Sequence, residues 1–243
     1  MKLLILGGTG EAALLARHLA DRPNLETISS LAGRIADPVL PPGAVRVGGF
    51  GGVDGLAAYL AAERIDAIVD ATHPFAARMS AHAAEACGRM KLPLLAFVRP
   101  AWTPEPSDRW LPVPDMAAAA ALCQGRVFLT VGRQELAPFA GSAAWFLIRA
   151  IDPPEGALPA HHELMLKRGP FGLADEIDLL RRHRIDLIVS KNSGGPATYA
   201  KIAAARALGL PVVMVERPAR PMTDQADTLD AVAAWLDRLL QTP

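Results

Sequence analysis

The sequence predicts an α/β fold made of two doubly wound units, each a parallel β-sheet covered by helices. Short aliphatic runs alternate with helical patterns along the whole chain, as they do in such folds. Hydrophobic residues make up 51% of the chain and aromatic residues only 5%, so aliphatic side chains and alanine must build the core. The two halves also echo one another: residues 64–69 resemble residues 184–189, and residues 92–100 resemble residues 210–218.

The first half contains five predicted strands, at residues 2–6, 26–31, 45–47, 67–69 and 94–98. Helical patterns follow three of them, around residues 14–19, at 54–63 with Asp54 as the expected N-cap, and from Pro74 to about residue 89. Residues 48–52 include four glycines at the end of a strand. Such a loop indicates close backbone packing or the approach of a ligand.

The second half resumes the alternation after a proline-rich stretch at residues 101–114, which we predict to be a linker. The predicted domains are therefore residues 1–100 and residues 115–243. Another proline-rich loop covers residues 152–159. The remaining predicted elements are strands at 127–131, 145–149, 164–166, 186–189 and 212–215 and helices at 115–123, 173–183, 197–208 and 225–240.

Composition excludes several classes of protein. Lys plus Arg and Asp plus Glu both number 25, and a neutral chain does not suit a general nucleic-acid partner. Cys87 and Cys123 form neither a metal-type pair nor a disulfide framework, and we expect two reduced thiols and no metal. The 161–163 run of two histidines and a glutamate is expected to be a surface loop. No apolar run is long enough to span a membrane, and we expect a cytoplasmic protein.

The first strand runs directly into a glycine turn and a helix. Gly8, Gly10 and Ala13 fit the spacing of the dinucleotide-binding fingerprint, with alanine in the third place. Glycine lets backbone N–H groups approach a pyrophosphate, and the helix N-terminus supplies positive potential. An ordinary strand-to-helix turn that binds nothing is the alternative.

The end of the second predicted strand favours NADP over NAD. An NAD site usually places a carboxylate there to bind the ribose hydroxyls. This chain has Ser29, Ser30 and Arg34 instead, and Asp37 comes later in the loop. Arg34 is the expected partner of a 2′-phosphate, unless it is a solvated loop residue.

Basic residues recur at the predicted strand ends of this neutral chain, and together they suit an anionic ligand. The alternative is that each is a surface cation. Lys191 precedes Ser193 and two glycines, whose backbone N–H groups suit an anion. His73 is a candidate proton donor, or a histidine that shapes its loop. The strand-end cations are Arg34, Arg99, Arg133, Arg149, Lys167, Arg168, Lys191 and Arg217.

Five stretches spanning nearly the whole chain carry a more specific signal: residues 5–12 (ILGGTGEA), 30–34 (SLAGR), 70–76 (DATHPFA), 191–195 (KNSGG) and 205–214 (ARALGLPVVM). Together they resemble the precorrin-6A reductase family of cobalamin biosynthesis. The resemblance implies two Rossmann-like domains with the active site in the cleft between them. It also implies reduction of a ring double bond of precorrin-6A by NADPH to give precorrin-6B.

The resemblance also implies roles for the two domains and for particular residues. Residues 1–100 would bind NADPH and residues 115–243 the substrate, an anionic tetrapyrrole-derived macrocycle. His73 and Lys191 are the expected catalytic residues, although a substrate carboxyl group and water remain open as the proton source. The expected cofactor residues are Gly8, Thr9, Gly10, Glu11, Ser30, Arg34 and Thr72, and the expected substrate residues are Arg99, Arg133, Lys191, Asn192, Ser193 and Gly194.

Two other functions remain open from the sequence. One is a regulatory module that binds NADP(H) without turnover. The other is a reductase of a small carbonyl compound, although Tyr59 and Tyr199 lack the Tyr-x-x-x-Lys spacing such enzymes usually use. The sequence leaves open whether the ring carries cobalt, which oligomer forms, and whether neighbouring pathway enzymes make transient contact.

Overall fold

The chain folds into two α/β units, each built on a six-stranded parallel sheet. The computed structural model describes residues 1–33 and 40–241. The first unit comprises Met1–Pro100 and Pro218–Pro243, and the second comprises Ala101–Arg217. The predicted fold class is therefore confirmed.

In the first unit, parallel strands alternate with helices. The strand order is β12-β5-β4-β1-β2-β3, which places β1 and β4 at the centre of the sheet. Apolar clusters cover both faces: Leu3 and Val69 belong to one, and Leu4 and Ile68 to the other. The elements are β1 (Lys2–Leu6), α1 (Gly10–Leu19), β2 (Glu26–Leu31), β3 (Ala44–Val47), α2 (Val53–Ala62), β4 (Ala67–Asp70), α3 (Ala77–Met90), β5 (Leu94–Phe97), β12 (Asp224–Ala226) and α7 (Leu229–Gln241).

The second unit has the strand order β6-β11-β10-β7-β8-β9. Its central strands β10 and β7 pair in parallel, with Ile188 opposite Phe128. Helices α5 and α6 share an apolar cluster with these strands. The elements are β6 (Arg109–Val113), α4 (Met116–Ala121), β7 (Arg126–Thr130), a short 3₁₀ helix (Ala137–Phe139), β8 (Trp145–Ala150), β9 (His162–Leu166), α5 (Leu173–Arg182), β10 (Leu187–Lys191), α6 (Ala200–Leu208) and β11 (Pro211–Val215).

The structure corrects the predicted domain boundaries at both ends of the second unit. The predicted linker at 101–114 contains β6, which pairs with β11 and puts Pro112 in an edge strand, where its missing N–H is tolerated. The chain after Arg217 returns to the first unit, where β12 pairs with β5. Trp235 of α7 is buried in that unit's core. The sequence predicted neither β6 nor β12, because β6 lies in a proline-rich stretch and β12 in a polar one.

Two local expectations also differ. Gly52 is the N-cap of α2, and Asp54 lies in the first helical turn, where its carboxylate suits the positive end of the helix dipole. His162 and Glu163 belong to edge strand β9 rather than to a loop. Within residues 1–33 and 40–241, no group of His, Cys, Asp or Glu has the arrangement of a metal site. No helix in these same ranges is long and apolar enough to cross a membrane.

Candidate functional site

The glycine turn after β1 is locked to the end of β4 by one hydroxyl group. Thr9 is the N-cap of α1, and its Oγ1 accepts a hydrogen bond of 3.1 Å from the Ala12 N–H. The same hydroxyl donates to the Ala71 carbonyl oxygen at 2.8 Å. The turn needs glycine at Gly8, whose φ is 102°. The sequence pattern of strand, turn and helix therefore yields a rigid turn at the carboxyl edge of the sheet.

Neither the backbone conformation nor the packing of the described residues requires glycine at position 10. Gly10 has no positive φ, and a Cβ added there would meet no atom of residues 1–33 or 40–241 within 4 Å. Alanine would also favour helix α1, which starts at this residue. Open space beside the N–H groups of a helix N-terminus suits the phosphates of a dinucleotide. The residues present at this turn therefore fit the expected cofactor.

A small cavity at the ends of β1, β4 and β5 brings together four of the predicted site residues. Arg99, whose expected role in substrate binding stays a prediction, forms an ion pair with Glu11 of the glycine turn. Its side chain is 17% exposed, and the pair neutralises the carboxylate nearest the helix N-terminus. Arg99 thus lies with the cofactor set. The cavity is lined by Thr9, Glu11, Ala71, Thr72, Pro74, Phe97, Val98 and Arg99.

Asp70 and Arg220 are site residues that sequence reasoning missed. Asp70 is 2% exposed. Its carboxylate accepts hydrogen bonds from the Thr72 hydroxyl, the Ser80 hydroxyl and Arg220 Nη2, each at 2.6 Å. It also accepts from the Thr72 N–H at 3.1 Å. Asp70 therefore fixes Thr72 against the cavity. An aspartate that ends a buried aliphatic strand was the available signal, whereas nothing local pointed to Arg220.

His73 follows this network on the loop before α3. Its Nδ1 accepts a hydrogen bond of 3.2 Å from the Phe75 N–H, and its ring lies 5.8 Å from the Phe75 ring. An accepting Nδ1 carries no proton, so this arrangement places the ring proton on Nε2. The structure thus supports the loop-shaping role and leaves the proton-donor role a prediction.

The end of β2 carries a second group of polar residues. Ser30 is paired in register with Arg46 of β3, and Arg46 Nη1 donates to Ser30 Oγ at 2.8 Å. Arg46 was not among the predicted residues. Arg34 lies outside the described residues, so its predicted role stays a prediction.

In the second unit, Lys191 at the end of β10 already has a carboxylate partner. Its Nζ donates to Glu135 at 2.6 Å, and the same oxygen accepts from the Gly132 N–H at 2.8 Å. A charged lysine in a part-buried position requires such a partner. A substrate carboxylate approaching Lys191 would therefore share the ammonium group with Glu135 or displace it.

Asn192 braces the loop that follows. Its side-chain oxygen accepts from the Trp102 N–H at 2.8 Å, and its amide donates to the Trp102 carbonyl at 3.0 Å. The Trp102 indole then donates to the Gly195 carbonyl at 2.8 Å. Arg217 donates to the carbonyls of Asn192 and Ser193 at 2.8 and 3.0 Å. The loop predicted to bind substrate is thus fixed from both sides, with Gly194 at a φ of 69°.

Two further basic residues of the predicted set also lie close to carboxylates. Arg149 forms a buried bidentate pair with Glu176, with side chains 6% and 3% exposed. Arg133 lies 3.9 Å from Glu155, a weaker pairing. Among the described basic residues of this set, Arg99, Arg149 and Lys191 are held by carboxylates of their own unit.

Lys201 is a buried cation that sequence reasoning also missed. It lies on α6, is 4% exposed, and donates from Nζ to the Thr198 carbonyl at 3.0 Å. Its spacing from Ala204, Ala205 and Leu208 on the apolar face of the helix was the available signal. Burial, and then repulsion by Arg149, lower the pKa of Lys201 to about 7.

This shift predicts a pH-dependent stability. The unfolded lysine has a pKa near 10.5, so between pH 7 and 10.5 the unfolded chain binds more protons and stability should rise with pH. Below pH 7 the folded chain bears the full cost of the buried charge. Lys201→Met should therefore raise Tm by several degrees at pH 6 and much less at pH 10. Thermal unfolding at both pH values measures this, with the exposed Lys91→Met as control; equal effects at both would contradict it.

Cys87 is buried and Cys123 is half-buried. Burial raises the pKa of the Cys87 and Cys123 thiols to about 11 each. Both are therefore protonated at neutral pH and poor nucleophiles.

Comparison with known proteins agrees with the fold and identifies the family. The family described as "Precorrin-6x reductase CbiJ/CobK" matches residues 2–237. The precorrin-6A reductase of Rhodococcus erythropolis is 55% identical over 245 residues, covering 98% of both chains. That of Mycobacterium tuberculosis strain H37Rv is 51% identical over 240 residues, covering 97% of each. A solved structure of a CobK precorrin-6A reductase is similar with a TM-score of 0.92 and 46% identity, covering 98% of this chain and 96% of that one.

Proposed function

Since the chain belongs to the precorrin-6x reductase family CbiJ/CobK, we propose that it reduces precorrin-6A in cobalamin biosynthesis with NADPH as the hydride donor. The relatives named above are precorrin-6A reductases matched over almost their full length. Their names carry no cobalt, which supports a metal-free ring as the substrate of this chain. The observation that carries the proposal is the turn at Gly8 to Glu11 with its open Gly10, at the carboxyl edge of a 3-2-1-4-5 sheet.

The residues of the first unit would hold the cofactor. The N–H groups that begin α1 suit the two phosphates, and Gly10 leaves space at this end of the helix. Arg99 offsets the charge of Glu11 and so keeps this end of the helix attractive to an anion. When bound, NADPH supplies a hydride from its nicotinamide ring. Thr9 and Asp70 keep the cavity rigid, because they tie the turn and Thr72 to the end of β4.

The residues of the second unit would bind the acidic side chains of the macrocycle. Lys191 and the braced loop at Asn192 and Ser193 present one cation and a pair of glycines in a fixed geometry. Rigid positioning of this kind contributes more to hydride transfer than any single charge. His73, a carboxyl group of the substrate and water all remain candidates for the proton that completes the reduction.

Isotope tracing tests this proposal. NADPH deuterated at the transferred position of nicotinamide C4 is incubated without oxygen with the protein and precorrin-6A, and the mass of the ring product is measured. We expect one deuterium in the product, since a reductase transfers the hydride directly. A reduced ring without deuterium would contradict direct transfer.

A further inference from the structure

A polar group at the ends of β2 and β3 lies where a Rossmann sheet binds the adenosine ribose. Ser30 is the penultimate residue of β2 and pairs with Leu6, the last residue of β1 before the glycine turn. Arg46 lies directly opposite Ser30 on β3. The neighbouring strand therefore places a cation at the position that separates NADPH from NADH.

The Arg46 guanidinium is held in one orientation. Nη1 donates to Ser30 Oγ at 2.8 Å and to the Gly48 carbonyl at 3.0 Å, and Nη2 donates to the Gly49 carbonyl at 3.2 Å. The group also lies 3.9 Å from the centre of the Phe50 ring and 5.0 Å from that of Tyr59. A guanidinium ordered in this way loses little conformational entropy when it binds a ligand.

The charge of Arg46 is also not neutralised within the described ranges. Arg99 and Arg220, two further arginines of the first unit, each pair with a carboxylate. Arg46 contacts a hydroxyl, two carbonyls and two aromatic rings, and no carboxylate among residues 1–33 and 40–241 lies within ion-pair distance. A bound anion would neutralise the charge of the Arg46 guanidinium.

The adjacent glycine loop leaves room for that anion. Among the described residues, added Cβ atoms at Gly48, Gly49, Gly51 and Gly52 would each meet nothing within 4 Å. Gly49 in particular has no positive φ that would require glycine. Because Ser30 Oγ accepts from Arg46, its own proton can be donated to an anionic oxygen.

We propose that Arg46, supported by Ser30, recognises the 2′-phosphate of NADPH and makes the enzyme selective against NADH. This inference rests on the proposed function for the identity of the cofactor. It adds to the enzyme a specificity residue on β3, in addition to the role predicted from the sequence for Arg34, which lies outside the described residues. The Arg46 guanidinium binds phosphate oxygens by charge-assisted hydrogen bonds, and Phe50 and Tyr59 hold it in place.

Equilibrium binding of NADPH, NADH and adenosine 2′,5′-bisphosphate, followed by fluorescence and calorimetry, tests the inference. Arg46→Met should raise the Kd for NADPH and for the bisphosphate at least 10-fold and change the Kd for NADH less than 2-fold. Arg46→Lys should recover part of the loss. Arg99→Met should weaken NADPH and NADH alike, and Arg89→Met, a surface change on α3, should alter neither.

Equal weakening of NADPH and NADH in Arg46→Met, or no change in either, would overturn the inference, because Arg46 would then only support the loop. Equal affinity of the wild-type protein for the two cofactors would overturn it too, even if precorrin-6A is reduced. If NADPH binds selectively and this selectivity depends on Arg46, but the ring is not reduced, the inference is supported and the proposed function is contradicted.

Discussion

Replacing Gly55 by alanine is expected to destabilise the first unit, although alanine is normally the better helix residue by about 0.5–1 kcal/mol. Gly55 lies in the first turns of α2, and a Cβ there would overlap the main-chain carbonyl of Phe50. Rotation of a side chain cannot relieve a clash with backbone. The glycine loop must therefore move, and its carbonyls at Gly48 and Gly49 orient Arg46.

We expect Gly55→Ala to lower the free energy of unfolding by about 2 kcal/mol or more, the usual cost of overpacking. Because the displaced loop carries the partners of Arg46, NADPH affinity should fall as well. Denaturant unfolding and NADPH titration measure the two effects. Gly88→Ala is the matched control: it changes an exposed glycine of α3 whose added Cβ meets no described residue within 4 Å, and it should stabilise slightly. Equal stabilisation by both changes would show that α2 and the loop do not pack as described.

Asp70→Asn is the second change with a large expected effect. The Arg220 guanidinium, 12% exposed, would lose the only carboxylate it pairs with among the described residues. Its Nη1 already lacks a hydrogen-bond partner in the same part of the chain. Removing one partner of a buried ion pair costs about 3–5 kcal/mol, because the remaining charge is left without compensation.

Asp70→Asn should also impair the site, since Asp70 holds both the N–H and the hydroxyl of Thr72. We expect a lower Tm and weaker NADPH binding by the folded protein. Arg149→Met is the control, because it breaks a comparable buried pair in the second unit and should lower stability without weakening NADPH binding.

A double-mutant cycle with Arg220→Met isolates the pair. The double variant Asp70→Asn with Arg220→Met should be more stable than the sum of the two single losses predicts. Strict additivity would show that Asp70 and Arg220 do not interact, and unchanged NADPH binding in Asp70→Asn would show that Asp70 does not act through Thr72.

Much of the fold could be predicted because its central strands are aliphatic and its turns contain glycine. The strand at 26–31 was predicted to the residue, and β1, β4 and β10 were each located to within two residues. The edge strands β6 and β12 were missed. Edge strands need little hydrophobicity, so Asp224–Ala226 and the proline-containing Arg109–Val113 carry no strand pattern.

The sequence predicted which residues lie at the strand ends, but it did not predict which of them contact one another. Thr9, Glu11, Thr72 and Arg99 do line one cavity, because parallel strands end at one edge of a sheet. Pairing within the set could not be predicted. Arg99 pairs with Glu11, 88 residues away along the chain, and Arg220 pairs with Asp70, 150 residues away. Such contacts depend on tertiary structure that no local pattern encodes.

The most direct test of the account is anaerobic turnover with purified protein, NADPH and either metal-free precorrin-6A or its cobalt-containing counterpart. We predict NADPH oxidation with the metal-free ring, matched one for one by reduction of the ring. Oxidation with the cobalt ring alone would contradict the proposed substrate. Tight NADPH binding with no oxidation by either ring would contradict the central claim and would make the chain a nucleotide-binding module without turnover.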